Sequence, residues 1–297
     1  MGLVEKKTSD APKIRIRFTA EEPSFNFSDI VLSQDVRKQI REYLGLIDNI
    51  DLIFDKWNLK SVIRYPKRTL NLFGPSGTGK TMCAHAIAAH MKKKIIQVDY
   101  SEIESKYVGE TSKNLVDLFK YAESSDSVIV FDEADALLSK RVTLMQSATD
   151  VSVNQTRNVL LKLLDSYTYP VIFTTNFMEN YDKAFGRRLL FNIEFKMPDK
   201  IQRRTLWSHY LLATIPFAGD YGECVDTLSD IDNLTGADIA NAVLHASIKA
   251  AINKNKVSLE SLNVEVKKIL VAKEKDDVKI ESRRKVSSEY AKKMIGD

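Results

Sequence analysis

Cysteine is nearly absent: Cys83 and Cys224 are the only two in 297 residues. Two thiols cannot build a disulfide framework, so the expected compartment is a reducing one, the cytoplasm. Histidine is almost as sparse, at His85, His90, His209 and His245. None of these stands in an H-E-x-x-H pattern, and the cysteines are not spaced for zinc, which removes a fused zinc protease. No Ser-His-Asp grouping stands out either. No apolar run approaches the roughly 20 residues a membrane helix needs, so no membrane span is expected. Residues 1–20 carry charge where a signal peptide would be apolar. Neither sign of charge dominates: 44 Lys+Arg against 40 Asp+Glu leave +4, too mild to argue for nucleic acid. The rest, 44% hydrophobic and 28% charged, is ordinary for a globular protein. The length suffices for a good core and for two domains.

What is present is more specific. Residues 74–81 read Gly-Pro-Ser-Gly-Thr-Gly-Lys-Thr after the apolar run Leu70-Asn71-Leu72-Phe73. This is the phosphate-binding loop pattern G-x-x-x-x-G-K-[ST] in its required place, after a strand and before a helix (Met82 to Ala88). Gly74, Gly77 and Gly79 let the backbone curl so that its N–H groups face phosphate, and a helix starting near Lys80 adds its positive end. The expected nucleotide contacts are Gly74, Pro75, Ser76, Gly77, Thr78, Gly79, Lys80, Thr81 and Met82. Lys80 is expected on the β- and γ-phosphates, and Thr81 on Mg²⁺.

A second motif reads Ser-Val-Ile-Val-Phe-Asp-Glu-Ala-Asp over residues 127–135. The continuous apolar run predicts a strand buried on both faces of a parallel sheet, and ligands bind at the carboxyl ends of such strands. Asp132 is there to hold magnesium, directly or through water, and Glu133 to polarise the attacking water. A third strand, Val171 to Thr175, ends at Asn176, which is placed to bond the catalytic water or the γ-phosphate if it is not simply a turn former. Arg187 and Arg188 follow Gly186 as candidates for an arginine finger given to a neighbouring subunit; the alternative is a pair of surface arginines at a helix end.

Organisation along the chain follows the same alternation. Residues 1–24 form an N-terminal arm in which Ile14 to Phe18 either pairs as an edge strand or stays solvated. Apolar spacing predicts a helix over Gln34–Asp55 and a strand over Lys94–Asp99. The fold class is α/β, a P-loop NTPase parallel sheet flanked by helices over 25–197, followed by a small all-α lid over 198–272 and a charged tail over 273–297. Leu206, Tyr210 and Leu211 share one face of the lid; His209 or Tyr210 touches ribose or plays an ordinary helix-surface role.

Taken in order, Asp132-Glu133, Asn176 and Arg187-Arg188 resemble the Walker B, sensor 1 and arginine-finger motifs of the AAA+ ATPases, and most of all the classical AAA group. Phe27 to Leu32 resembles that family's linker, which implies that Ile30 and Val31 line the adenine pocket. Leu234 to Ile239 resembles its sensor 2 helix start, with Ala237 where other clades carry arginine, and implies that Gly236 and Ala237 meet the nucleotide. Lys106, Tyr107 and Val108 match the pore loop, whose aromatic side chain grips extended polypeptide with little sequence preference. The resemblance spans about Phe25 to Leu270. It implies ATP with Mg²⁺, a homo-oligomeric ring (a hexamer), and a protein client threaded through a central pore. The expected catalytic set is Lys80, Glu133, Asn176, Arg187 and Arg188, with Arg187 as the finger and Arg188 in support. Only about 24 residues precede the core, so clients are expected through an adaptor or by their termini; the HORMA-domain remodellers are compact relatives of this kind. A DNA-associated AAA+ loader or helicase-type ATPase shares the site but needs a basic patch. A nucleotide-switched scaffold would act by binding alone. A small-molecule kinase would need neither Tyr107 nor paired arginines.

Overall fold

Strand and helix alternate where the apolar runs predict. The computed structural model describes residues 18–63, 67–99, 110–138, 148–176 and 182–275. Five strands, β1 (Thr69–Phe73), β2 (Lys94–Asp99), β3 (Ser127–Asp132), β4 (Val171–Thr175) and β5 (Phe191–Glu194), form a parallel sheet in the order β2-β3-β4-β1-β5. Contacts divide the described residues into two compact units. One draws on the described residues within Met1–Asn26, Gly45–Leu72 and Ala84–Asn192; the other on those within Phe27–Leu44, Phe73–Cys83 and Ile193–Asp297.

In the first unit, β2 and β3 run in register from Lys94 opposite Ser127 to Asp99 opposite Asp132, which leaves two carboxylates level at the strand ends. Residues Ser127–Phe131 of β3 and all of β4 are buried, because helices cover both faces. Helix α3 (Glu110–Ser124) presents Leu115, Leu118, Phe119 and Ala122 at i, i+3, i+4 and i+7, and all four are buried in the core. Each of the large ones stabilises the fold by about 1.5–3 kcal/mol. The short helix α4 (Asp135–Leu138) adds Leu137 and Leu138, helix α5 (Ala148–Ser166) adds Leu160, Leu161 and Leu164, and the Phe131 and Phe173 rings stack at 5.1 Å between their centres. Residues ahead of the sheet are tied to it: Glu21 exchanges backbone hydrogen bonds with Ile95 at 2.9 and 2.8 Å, and Phe18 packs on the core. Ile14 to Arg17 lie outside the described residues.

The helix expected over Gln34–Asp55 is shorter. Helix α1 spans Gln34–Asp48, and a wide turn, Leu52–Lys56, follows, closed by Trp57 N–H donating to Leu52 O at 2.9 Å. The break has a local cause. Asn49 donates its side-chain amide to Gly45 O at 2.8 Å, competing with the helix's own ladder, and Asp48 and Asp51 are weak helix formers.

In the second unit, helices α7 (Lys200–Tyr210), α8 (Tyr221–Ser229), α9 (Gly236–Ile252) and α10 (259–275) enclose Leu206, Trp207, Leu211, Val225 and Leu262. One short strand pair, β6 (Phe217–Ala218) with β7 (Val257–Ser258), joins them. The starts are capped as the sequence dictates: Asp199 with Gln202 and Thr235 with Asp238 form reciprocal capping boxes, and the Asp220 side chain accepts from Glu223 N–H. Each such cap stabilises by about 1 kcal/mol. Buried Arg203 anchors the first turn, donating to Pro198 O, Ser229 O and Asp232 Oδ1 at 2.8, 3.0 and 2.6 Å.

Candidate nucleotide site

The loop after β1 is shaped by its backbone. Gly74 and Gly77 stand at φ +138° and +76°, which side chains of L-residues rarely adopt. A Cβ on Gly74 would lie 1.9 Å from Phe195 O, and one on Gly77 would lie 2.6 Å from Thr235 Oγ1. Helix α2 (Lys80–His90) begins at the motif lysine. The Lys80 ammonium is buried and donates to Gly74 O at 2.8 Å and Pro75 O at 2.9 Å, which holds it across the loop's own curve. Thr78 closes the turn by donating to Pro75 O at 2.8 Å. Pro75 and Ser76 are exposed, and Thr81 and Met82 are half-buried. This cradle of backbone amides with a lysine held over it fits a polyphosphate.

The same unit brings further expected residues to the loop. Ile30 is buried, with Cγ2 3.6 Å from where a Cβ of Gly79 would sit. Val31 packs against the core of the second unit. Ala237 N–H donates to Gly77 O at 3.2 Å, and Gly236 lies against Leu206 and Gly77 O. The Tyr210 side chain packs on the core of the second unit with the His209 ring edge-on to it at 4.9 Å.

The other unit carries the acids. Asp132 ends β3, and Glu133 follows at φ +48°, a left-handed turn that takes its exposed side chain off the strand line. Glu133 N–H donates to Asp132 Oδ1 and Thr174 Oγ1, both at 3.2 Å, and Ala134 N–H to Thr174 O at 2.9 Å. The Thr174 hydroxyl donates to Asp132 Oδ1, while Gln97 donates to Oδ2 at 2.9 Å. Gln97, Asp99, Asp132 and Glu133 line a cleft of about 430 Å³. Among the described residues no group of three His, Cys, Asp or Glu side chains is placed to hold a metal ion, and Asp132 is the carboxylate of this cleft that its neighbours orient. Asn176 follows β4, its N–H donating to the Asp135 carboxylate at 3.1 and 3.3 Å. Thr174, Gln97 and Asp135 belong to this cluster and receive no role in the motif reading. The legible signal was Thr174-Thr175, two polar residues inside an otherwise apolar strand.

The two arginines part company. Arg188 is held: Nε and Nη2 pair with both Asp165 oxygens at 2.8 and 2.7 Å, Nε also reaches Leu161 O at 3.1 Å, and Nη1 reaches Ala184 O at 2.8 Å. Arg187 ends the short helix α6 (Lys183–Gly186), where its backbone carbonyl accepts from Lys67. It is exposed, and among the described residues its guanidinium has no ion-pair partner. Lys106, Tyr107 and Val108 lie outside the described residues. Cys83 is fully buried, and burial pushes its thiol far up, so it is a packing residue. Among the described residues no helix is long and apolar enough to cross a membrane.

A glycine loop carrying a lysine, and an aspartate-glutamate pair two strands away in one parallel sheet, define a P-loop nucleoside triphosphatase. The profile of the "ATPase family associated with various cellular activities (AAA)" matches residues 70–198. The chain belongs to this family, the AAA ATPases. It is 34% identical over 244 residues to a 26S proteasome regulatory subunit 6B homolog of Dictyostelium discoideum, covering 80% of this chain and 58% of that one. A probable 26S proteasome regulatory subunit 6B of Caenorhabditis elegans is 30% identical, covering 86% and 62%. A proteasome-activating nucleotidase of Saccharolobus islandicus is 30% identical, covering 93% and 70%. The chain thus spans about three fifths of the length of the first two.

Proposed function

We propose that this chain hydrolyses ATP within a ring of like subunits and uses the reaction to remodel or unfold protein clients drawn through a central pore. The observation that carries the reading is the phosphate loop bonded within its own unit to the start of the Gly236–Ile252 helix, Ala237 N–H to Gly77 O, which sets that helix start beside the nucleotide's cradle. The resemblance to proteins named for the proteasome supports a protein client.

In this reading residues 198–272 serve as the lid, Ile30 and Val31 face the adenine, and Gly74 to Met82 with Gly236 and Ala237 hold the nucleotide. Lys80 bonds the β- and γ-phosphate oxygens. Thr81 and Asp132 are the residues that hold magnesium, which when bound neutralises phosphate charge. Glu133 takes a hydrogen bond from the attacking water and aligns it; Asn176 bonds the γ-phosphate or that water. Arg187 reaches the neighbouring subunit's γ-phosphate, a role its exposure supports, while Arg188 braces the turn that carries it. Lys106, Tyr107 and Val108 form the step that grips polypeptide.

The test is ATPase rate per subunit against protein concentration, with sedimentation in ATP. The rate is expected to rise steeply as rings form and to fall about 10³-fold in Arg187→Ala. Glu133→Gln is expected to keep rings and client while losing at least roughly a hundredfold in turnover. A rate independent of concentration, from a monomer, refutes the ring. Stimulation by DNA but not by protein would point to the loader-type alternative.

A further inference from the structure

We propose that His85 and Gln97 form a positioning relay that sets the Asp132 carboxylate for magnesium and connects it to the segment ahead of the sheet. The inference rests on the nucleotide reading above, since it assigns Asp132 to the metal. Four groups join in line, all within one unit. Ser24 N–H donates to His85 Nδ1 at 3.2 Å; His85 Nε2 lies 3.1 Å from Gln97 Oε1; Gln97 Nε2 donates to Asp132 Oδ2 at 2.9 Å.

The direction of this chain is fixed at its first link. A backbone N–H can only donate, so Nδ1 must accept. The ring proton then sits on Nε2 and is given to Gln97 Oε1, which leaves the amide NH₂ facing Asp132. Each donor meets an acceptor in one sense, from the Ser24 backbone to the carboxylate. The ring is held for the purpose: His85 is buried at 8% exposure, with the Phe25 ring edge-on at 5.7 Å. Glu21 pairs with Ile95 on the neighbouring strand, so the segment that supplies Ser24 is seated by β2 itself.

At the far end, Asp132 receives donors on both sides. Gln97 takes Oδ2, while Thr174 and Glu133 N–H take Oδ1. Two ionised oxygens offer about four lone-pair sites, of which these donors take two on Oδ1 and one on Oδ2. A donor on each oxygen holds the carboxylate plane from two sides, and with Gln97 gone the Thr174 hydroxyl and Glu133 N–H still pull on Oδ1. The residue type is also selected. Gln97 lines the cleft with Asp99, Asp132 and Glu133. A lysine or arginine at 97 would ion-pair with Asp132 and compete with the cation, and a glutamate would repel the Asp132 carboxylate. A neutral amide donates without doing either, but its own oxygen then needs a donor, which His85 provides. Partners of this kind usually change metal affinity by about 10–100-fold.

The experiment uses the full chain. Binding of a fluorescent N-methylanthraniloyl-ATP is measured in EDTA and across a MgCl₂ titration, for the wild type, Gln97→Leu and His85→Leu. Expected is unchanged binding in EDTA, a magnesium midpoint raised about tenfold in Gln97→Leu, and a smaller rise in His85→Leu. The ¹⁵N spectrum of the wild-type imidazoles provides a reading that needs no substitution: the His85 ring proton should sit on Nε2. An unchanged magnesium midpoint in Gln97→Leu, or a proton on Nδ1, overturns the relay. A wild type that binds the probe in neither condition overturns the nucleotide reading itself, and the relay with it.

Discussion

Replacing Gly74 with alanine asks whether the phosphate loop is shaped by backbone against backbone. A Cβ there would meet Phe195 O at 1.9 Å, its carbonyl carbon at 2.9 Å and its Cα at 3.2 Å. None of these atoms belongs to a side chain that can rotate aside. Phe195 N–H also donates to Phe73 O at 2.7 Å, so relief by moving the chain breaks a hydrogen bond beside the sheet. Leaving those polar groups unsatisfied costs about 1–3 kcal/mol, and forcing an L-residue into φ +138° costs a further ~1–3 kcal/mol. The sum, about 2–6 kcal/mol, is a large part of the roughly 5–15 kcal/mol that holds a domain together. At about 2–4 °C per kcal/mol the melting midpoint should fall by on the order of 10 °C. The assay is urea and thermal unfolding by circular dichroism without nucleotide, so that lost ligand binding does not enter. Gly45→Ala is the control: it sits in α1 with nothing within 4 Å of a new Cβ, and should stabilise by about 0.5–1 kcal/mol. A Gly74→Ala protein that unfolds within about 0.5 kcal/mol of the wild type would refute the reasoning.

Arg188→Ala removes a bidentate pair with Asp165 and two bonds to carbonyls, and should destabilise by about 1–3 kcal/mol in urea, whereas Arg187→Ala should stay within about 0.5 kcal/mol; equal effects would contradict the division of labour between them. Both thiols should resist labelling in the native chain at pH 8, because Cys83 is fully enclosed and burial pushes Cys224 up to about 11; rapid labelling of the folded protein by a thiol reagent would count against this packing. Glu265 is held below its ordinary value, first by its hydrogen bond to Lys249 and then by Lys268. Its contribution should therefore be full above the unfolded value of about 4.3 and lost as pH falls through the lowered folded value. The gap in urea midpoint between wild type and Glu265→Gln should shrink between pH 7 and pH 3, and a constant gap would refute the assignment.

Strand cores were readable because burial on both faces demands continuous apolar runs; Val128–Phe131 and Val171–Phe173 could hardly be anything else. The phosphate loop was readable because its chemistry is local, with Gly74 to Thr81 contiguous in the chain. The relay was not, since Ser24, His85, Gln97 and Asp132 meet only after an edge segment, a helix and two strands have packed. Arg187 and Arg188 were separable only by what Arg188 touches, and Asp165 lies 23 positions away. The end of α1 was missed because apolar spacing continues to Phe54 while Asn49 diverts the ladder.

The bond from Ala237 N–H to Gly77 O has a property the side-chain contacts lack. Both partners are main chain, so no substitution at either position except proline at 237 deletes a partner outright. Side chains around the cradle are free to drift, provided a small residue keeps the two segments in reach. The joint between the loop and the Gly236–Ile252 helix is in that sense inherited with the backbone, and a lineage could exchange the side chains about it without having to reinvent the linkage.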